Sequence, residues 1–347
     1  MEFLQGNDKE FLEFIKKIDE KDKIGVFTHN DPDGIISALI LKEILKKDFN
    51  FLEIESHDKN LWKNIQNKIK QRKPTKIFFL DLSIDEDQTE DFMKVMQTNQ
   101  SYYIDHHPIS KKANKIRNIL RSDSQTSVGF LLFQIGIQHK LIDFDKWKLI
   151  GIAAGIADHS FKNKENMQKM QKIYPEINQD KIFESIPGKV ANEIGSALIY
   201  YSKEREKVYK LLDKGDLSSI KQISNKINGE IQKCLKEFKT KNIYYKETDI
   251  YFYLVETKFK IGAMISSMIA KEYPDSIVIV AYFDEEYTKL SARNFNINRN
   301  VRELLAKLLG NLKDSSTGGH TCAAGGRFYK KDYEKFIENL EKYNKNL

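Results

Sequence analysis

Residues 26–41 read VFTHNDPDGIISALIL. A β-branched and aromatic run ends in the polar cluster His29-Asn30-Asp31-Pro32-Asp33-Gly34, and a second apolar run follows at once. The first run has the composition of a short buried strand, and GIISALILKEILKK (34–47) that of a helix. The same grammar recurs downstream. KIFFLDLS (76–83) is a second apolar strand ending in Asp81, and SYYIDHHP (101–108) a third ending in Asp105, His106 and His107. SDSQTSVGFLLFQIGIQ (122–138) predicts a helix capped by oxygens of its Ser/Thr cluster. WKLIGIAAGIADHSF (147–161) is apolar and then reaches Asp158. Strands apolar throughout and alternating with helices predict a parallel sheet covered on both faces.

The 347 residues are enough for two domains, and 40% hydrophobic content predicts true cores. No apolar run is long enough to span a membrane, and the acidic N-terminus MEFLQGNDKEFLEF has no signal-peptide character. Two cysteines, Cys234 and Cys322, exclude a disulfide framework or a four-cysteine zinc site and predict a reducing, cytoplasmic setting. The net charge of +7 is spread through Lys/Glu mixtures, as on a solvated surface, and it permits a polyanionic partner.

An aspartate at one strand end is ordinarily a turn or helix-cap residue. Here four segments in series end in carboxylates or histidines: His29/Asp31/Asp33, Asp81, Asp105/His106/His107 and Asp158. Ligands of open parallel sheets gather beyond the carboxyl ends of the strands, so segments far apart in sequence can converge there. Packed carboxylates repel unless cations offset them. Mixed carboxylate and imidazole donors suit Mn²⁺, Zn²⁺ or Fe²⁺. Two such ions about 3.5–4 Å apart can activate a water and stabilise a leaving oxygen in phosphoester hydrolysis.

The motifs HNDPDG, FFLDLS, YIDHHP and GIADHSF together resemble those of the DHH phosphoesterase superfamily, over about the first 200 residues. The resemblance implies a two-metal site holding Mn²⁺, with Mg²⁺ or Co²⁺ as substitutes. His29, Asp31 and Asp81 would hold one ion; Asp33, Asp81, His106 and Asp158 the other, with Asp81 as the bridge. Asp105 would be a further acidic group near the pair, and His107 would face the scissile phosphate. His159 departs from the threonine common after the last motif aspartate and is read as a tolerated replacement.

Residues 182–241 predict charged connecting helices, after which the pattern changes. DIYFYLVE, DSIVIVAYFDE and YTKLSARNF predict strands, KIGAMISSMIAKEY and NVRELLAKLLGN helices. Arg293 offers a guanidinium suited to phosphate, and Ser291, two residues earlier, shares its face on a regular strand. In STGGHTCAAGGRF (316–328), read as a glycine-rich loop, Gly318 and Gly319 allow close approach and His320 can donate to a phosphate oxygen. This half resembles the DHH-associated C-terminal domain, whose Gly-Gly-His motif and Ser-x-Arg strand bind substrate nucleotide; Thr317 stands where many relatives have a third glycine.

The expected architecture is α/β: a parallel-sheet DHH domain (1–200), a helical linker (201–245) and a smaller α/β substrate domain (246–347), with the active site in the cleft between them. The domain pair resembles RecJ-type exonucleases, nanoRNases and cyclic-dinucleotide phosphodiesterases rather than pyrophosphatases. In HNDPDG the residue after Gly34 is Ile35, not the aspartate of the nanoRNase pattern, which favours the RecJ-like group acting on single-stranded DNA or RNA. Short oligonucleotides, pAp or cyclic dinucleotides are the alternative substrates. Phe295 and Tyr282 are candidates for base stacking, with core packing the stronger reading for both. Strand polarity, a homodimer and a replication or repair partner are left open.

Overall fold

The computed structural model describes every residue except 1–2, 111, 114–115, 297–298 and 346–347. The chain divides into two compact units, residues 1–224 and 225–347.

The first unit runs α1 (Asp8–Ile15), β1 (Ile24–His29), α2 (Pro32–Leu45), β2 (Phe51–Glu55), α3 (Leu61–Arg72), β3 (Lys76–Leu80), α4 (Thr89–Thr98), β4 (Ser101–Asp105), β5 (Ile119–Arg121), α5 (Val128–Gln138), α6 (Phe144–Ala157), α7 (Lys164–Ile173), α8 (Ile186–Tyr200) and α9 (Glu206–Asp213). Helix α10 (Leu217–Lys241) carries the chain across the boundary between the units. Among the described residues the sheet has five strands in the order β2-β1-β3-β4-β5, all parallel. The order reverses between β1 and β3, and crevices for ligands open at such switch points, beyond the carboxyl ends. Those two strands end at His29 and, one residue later, Asp81.

Strand alternation feeds two cores. Ile24, Val26, Phe78, Leu80, Tyr102, Ile104 and Leu120 pack with α1, α2, α5, α6 and α8. Phe27, Ile77, Phe79, Tyr103 and Ile119 point the other way, into α3 and α4. There the rings of Trp62 and Phe79 meet edge to face at 5.2 Å, and Phe27 stacks on Phe79 at 5.5 Å. Helix α2 is apolar on every side because it lies within the first core, so it shows no amphipathic stripe.

The second unit continues with β6 (Ile243–Tyr245), β7 (Ile250–Leu254), α11 (Gly262–Glu272), β8 (Ile277–Phe283), β9 (Tyr287–Arg293), α12 (Val301–Leu309), β10 (Ser316–His320), β11 (Ala323–Tyr329) and α13 (Tyr333–Lys345). Its six-stranded mixed sheet has the order β10-β11-β9-β8-β7-β6. The expected glycine-rich loop at 316–328 is instead an antiparallel hairpin, because β11 pairs with β9 along its whole length and backbone pairing needs no side chains. No described helix is long and apolar enough to cross a membrane.

Phe79 sits between Trp62 and Phe27 with no solvent exposure. Phe79→Ala is expected to destabilise the first unit by about 3–5 kcal/mol. Urea unfolding followed by tryptophan fluorescence checks this, since Trp62 lies in the same cluster.

Candidate active site

The turn after β1 is built by helix capping. Asp31 is the N-cap of α2: its Oδ1 accepts from the Gly34 N–H at 2.8 Å, and Pro32 opens the helix. A Cβ on Gly34 would come within 2.3 Å of the His29 carbonyl oxygen, so this turn needs glycine. The other Asp31 oxygen lies 2.9 Å from His29 Nδ1. Asp33 is fully buried, and its two oxygens accept from the backbone N–H groups of Val128 and Gly129 at 2.8 and 2.9 Å. The expected Ser/Thr cap of α5 is therefore replaced by a carboxylate from 95 residues earlier in the chain. Ser127, at the N-cap position, makes no capping bond through its hydroxyl. A Cβ on Gly129 would lie 2.9 Å from Asp33 Oδ1, so glycine is what lets this carboxylate dock.

Asp81 follows β3 in a left-handed backbone conformation (φ 56°), which Asp tolerates better than most residues. Its carboxylate is 2% exposed and is shared. Oδ2 faces His29 Nδ1 at 3.7 Å, and Oδ1 faces His106 Nε2 at 3.4 Å. His106 Nδ1 is 3.3 Å from the Ser124 carbonyl, which turns Nε2 toward Asp81 and toward Asp158 Oδ2, 3.3 Å away. Asp158 sits at the C-terminal end of α6 rather than at a strand end, so three strand ends and one helix end make the cluster.

Asp105 is saturated by other partners. Its Oδ2 accepts from the His107 N–H at 3.0 Å and faces the Tyr103 hydroxyl at 2.7 Å; its Oδ1 faces His107 Nδ1 at 2.9 Å. With Nδ1 donating to Asp105, His107 keeps Nε2 as its free nitrogen. Arg121, buried at the end of β5, donates to the His107 carbonyl at 2.8 Å. Arg121 and the Ser124 carbonyl are parts of the site that sequence reasoning missed. No local pattern marks either, because Ser124 acts through its own backbone carbonyl and Arg121 acts on the backbone of another segment.

In the second unit, strand register aligns the candidate phosphate ligands. Arg293 pairs with Ala323, and Ala323 with His320; Ser291 pairs with Gly325, and Gly325 with Gly318. Directly paired residues share a face, so these two rows form one surface across β9, β11 and β10. Arg293 and His320 bracket it at two strand spacings, roughly 10 Å. Between them lie Ala323 and Gly325, and a Cβ on Gly318 would meet nothing within 4 Å among the described residues. Arg293 Nε donates to Ser267 Oγ at 3.0 Å, and Ser291 Oγ bonds Ser266 Oγ at 2.9 Å, so α11 supports one side of the shelf. Gly319 has φ 125°, where a side chain would strike the Ala323 carbonyl oxygen. Tyr282 packs on Gly262, whereas Phe295 is exposed.

The model of the DHH family N-terminal domain matches residues 23–156, and that of the DHHA1 domain matches residues 250–346. The chain belongs to the DHH superfamily. The DHH family is one of metal-dependent phosphoesterases, which are hydrolases. Among solved structures, RecJ from Thermus thermophilus in complex with Mn²⁺ is similar at 15% identity and TM-score 0.65, over 98% of this chain and 55% of that one. This chain thus spans about half the length of that RecJ. An exonuclease RecJ bound to manganese is 15% identical with TM-score 0.66, over 98% and 94% of the two chains. Cdc45 from Entamoeba histolytica is 12% identical with TM-score 0.57, over 97% and 98%. At these identities the likeness is one of fold. No curated protein matches the sequence.

The electrostatics of the DHH domain are those of a site built for cations. Burial raises the Asp33 pKa well above the carboxylate range, and Asp81, Asp158 and Asp31 add to the effect. Burial likewise raises Asp81 and takes Asp158 to about 6. Burial opposes charge on His29 and His106, but Asp31 and Asp81 around the one, and Asp81, Asp33 and Asp105 around the other, raise both to about 10. Burial also opposes ionisation of Asp105, but the hydrogen bond and charge of His107 outweigh it and lower the pKa. Asp81 Oδ2 is buried and lacks a hydrogen-bond partner among the described residues, and buried His29 Nδ1, although 2.9 Å from Asp31 Oδ2, makes no contact of hydrogen-bond geometry. A divalent ion fits these orphaned donors, and the mixture of imidazole and carboxylate suits Mn²⁺. Two ligand groups that could each hold an ion share Asp81: His29/Asp31/Asp81 and Asp81/His106/His107. Asp158 and Asp33 lie outside both groups, although Asp158 Oδ2 is 3.3 Å from His106 Nε2.

Ion binding needs neutral imidazoles, whereas His29 and His106 are charged at neutral pH in the metal-free domain. Mn²⁺ binding is therefore expected to release about two protons and to strengthen as pH rises from about 7 to 9. Isothermal titration in buffers of different ionisation enthalpy measures the protons released; none released would contradict this charge balance.

Proposed function

We propose that the chain is a manganese-dependent exonuclease that hydrolyses single-stranded DNA or RNA to mononucleotides at a two-ion site. The observation that carries this reading is the position of Asp81, whose two carboxylate oxygens face different histidines, as a bridging ligand would. His29 and Asp31 would hold one ion with Asp81, and His106 and Asp158 the other. Asp33, which caps α5, would be a further donor to the second ion. Structures of similar fold contain Mn²⁺ or Mg²⁺, which supports the choice of metal. Cys234 and Cys322 are free thiols, in keeping with a reducing cytoplasm.

Divalent ions bound there polarise a phosphoryl oxygen and lower the pKa of water toward neutrality. The remaining tasks fall to side chains of this chain. Asp105 holds the proton of His107 at Nδ1 and raises the imidazole pKa, against burial, which lowers it. His107 Nε2 then carries a proton toward the phosphoryl oxygen on which charge develops as water attacks phosphorus in line. The opposite P–O bond breaks, the departing nucleoside oxygen takes a proton from solvent, and the attacking water loses one. Arg121 holds the His107 backbone so that the ring keeps this aim. In the second unit Arg293 and His320 would take a phosphate, Arg293 through the N–H groups that Ser267 and Ala292 leave free. Ser266 and Ser291 support the shelf beneath them.

The 347-residue chain with Mn²⁺ is expected to shorten end-labelled single strands and release mononucleotides, with Asp81→Ala abolishing hydrolysis at unchanged far-ultraviolet circular dichroism. Cleavage of dinucleotides or cyclic dinucleotides alone would redirect the substrate assignment, and wild-type turnover in Asp81→Ala would overturn the two-ion reading. Arg293→Lys keeps the charge but loses the paired donors. It is expected to raise KM about tenfold or more, with a smaller change in kcat.

A further inference from the structure

Immediately beyond Asp158 the surface changes from carboxylates to rings. His159 is exposed and takes a left-handed backbone (φ 56°), a costly conformation that tends to mark functional positions. The turn that follows is pinned: Ser160 Oγ accepts from the Ser127 N–H at 2.9 Å, next to the helix end that Asp33 caps. The His159 ring meets Phe161 at 5.5 Å and Phe183 at 6.1 Å, and the two phenylalanines meet each other at 6.1 Å, all edge to face. Phe161 is buried and braces the group, while Phe183 is 37% and Ile186 58% exposed. Neither the sheet nor the capping network calls for apolar surface here. An exposed apolar patch that the packing does not call for marks an interaction site.

We propose that His159 and Phe183, braced by Phe161, form a stacking platform for the nucleobase next to the scissile phosphate. The occupant follows from position. Asp158 Oδ2 lies 3.3 Å from His106 Nε2 in the cluster, and His159 is the next residue, so the ring group begins one residue along the chain from the groups that would face the phosphate. Stacking suits this role because every base presents a π-face, so the platform grips a strand without regard to sequence. His159 thereby acquires a role in place of that of a tolerated replacement. The proposal rests on the phosphodiesterase reading and names the part of the substrate that this end of the site holds.

The test compares single-stranded oligonucleotides that are identical except for an intact or an abasic terminal nucleotide. Binding to the full chain is measured by fluorescence anisotropy, without divalent ion and with Ca²⁺, and hydrolysis is measured in parallel with Mn²⁺. Phe183→Ala and Phe183→Leu, the second keeping apolar bulk without a ring, are expected to shrink the preference for the intact strand about tenfold, and Phe183→Trp to retain it. An unchanged preference in both ring-less variants, equal weakening on both strands, or a ring-dependent self-association seen by sedimentation would overturn the platform. Failure of wild-type protein to cleave any strand would overturn the exonuclease reading alone, because the binding preference is read separately.

Discussion

One buried carboxylate, Asp81, organises the first unit's functional edge. It lies at the switch point of the sheet, 2% exposed, with histidines on both sides and further aspartates around it. Such a group cannot stay charged in a protein interior without compensation. In the metal-free protein, protons on His29 and His106 supply that compensation. The same geometry could accept divalent ions once those protons leave, and metal affinity and proton affinity would then be two measures of one electrostatic demand. The left-handed backbone at Asp81 belongs to this demand. The Asp81 N–H still donates to the Ile104 carbonyl, so the strand pairing holds the residue in place while its side chain turns into the crevice.

Helix capping and ligand positioning are here the same act. An aspartate before a helix is ordinarily explained by its cap, and Asp31 does cap α2. Yet the bond that satisfies the Gly34 N–H also orients the other carboxylate oxygen toward His29. Asp33 goes further and caps a helix remote in sequence, which ties the first motif to α5 and, through Ser127 and Ser160, to the turn after Asp158. The segments converge because the backbone N–H groups at helix ends need acceptors. Carboxylates that meet this need are already desolvated and aimed, which lowers the entropic cost of assembling a metal site.

Much of this is legible in the sequence. The strands that end in His29, Asp81 and Asp105 carry both signals at once, an apolar run and a polar terminus, and periodicity and motif point the same way. What stays hidden depends on partners distant in sequence. The hydroxyls of residues 122–127 look like the cap of α5, but a local pattern cannot show that Asp33 displaces them with two acceptor oxygens. Asp158 groups with strand ends on sequence because its apolar segment is as uniformly buried as a parallel strand, and length alone separates the two. Strands β10 and β11 are masked by glycine, which lowers strand propensity but leaves ladder hydrogen bonds intact.

The hairpin found in place of a loop also resolves the departure at Thr317. In a strand, residues alternate between faces, so Gly318 and His320 share one face while Thr317 and Gly319 share the other. Thr317 pairs with Gly326, which pairs with Leu290, a residue of the second unit's core. On the shelf side the paired residues are Gly325 and Ala323, with Arg293 and Ser291 beyond them. A threonine in place of a third glycine therefore adds its side chain on the face away from the proposed phosphate site. Glycine matters there where it bares the shelf, at Gly318 and Gly325, and where the backbone turns outside the L-residue range, at Gly319. Once the segment is a strand rather than a loop, its permissiveness is a property of one face, and the substitution at Thr317 leaves that face unchanged.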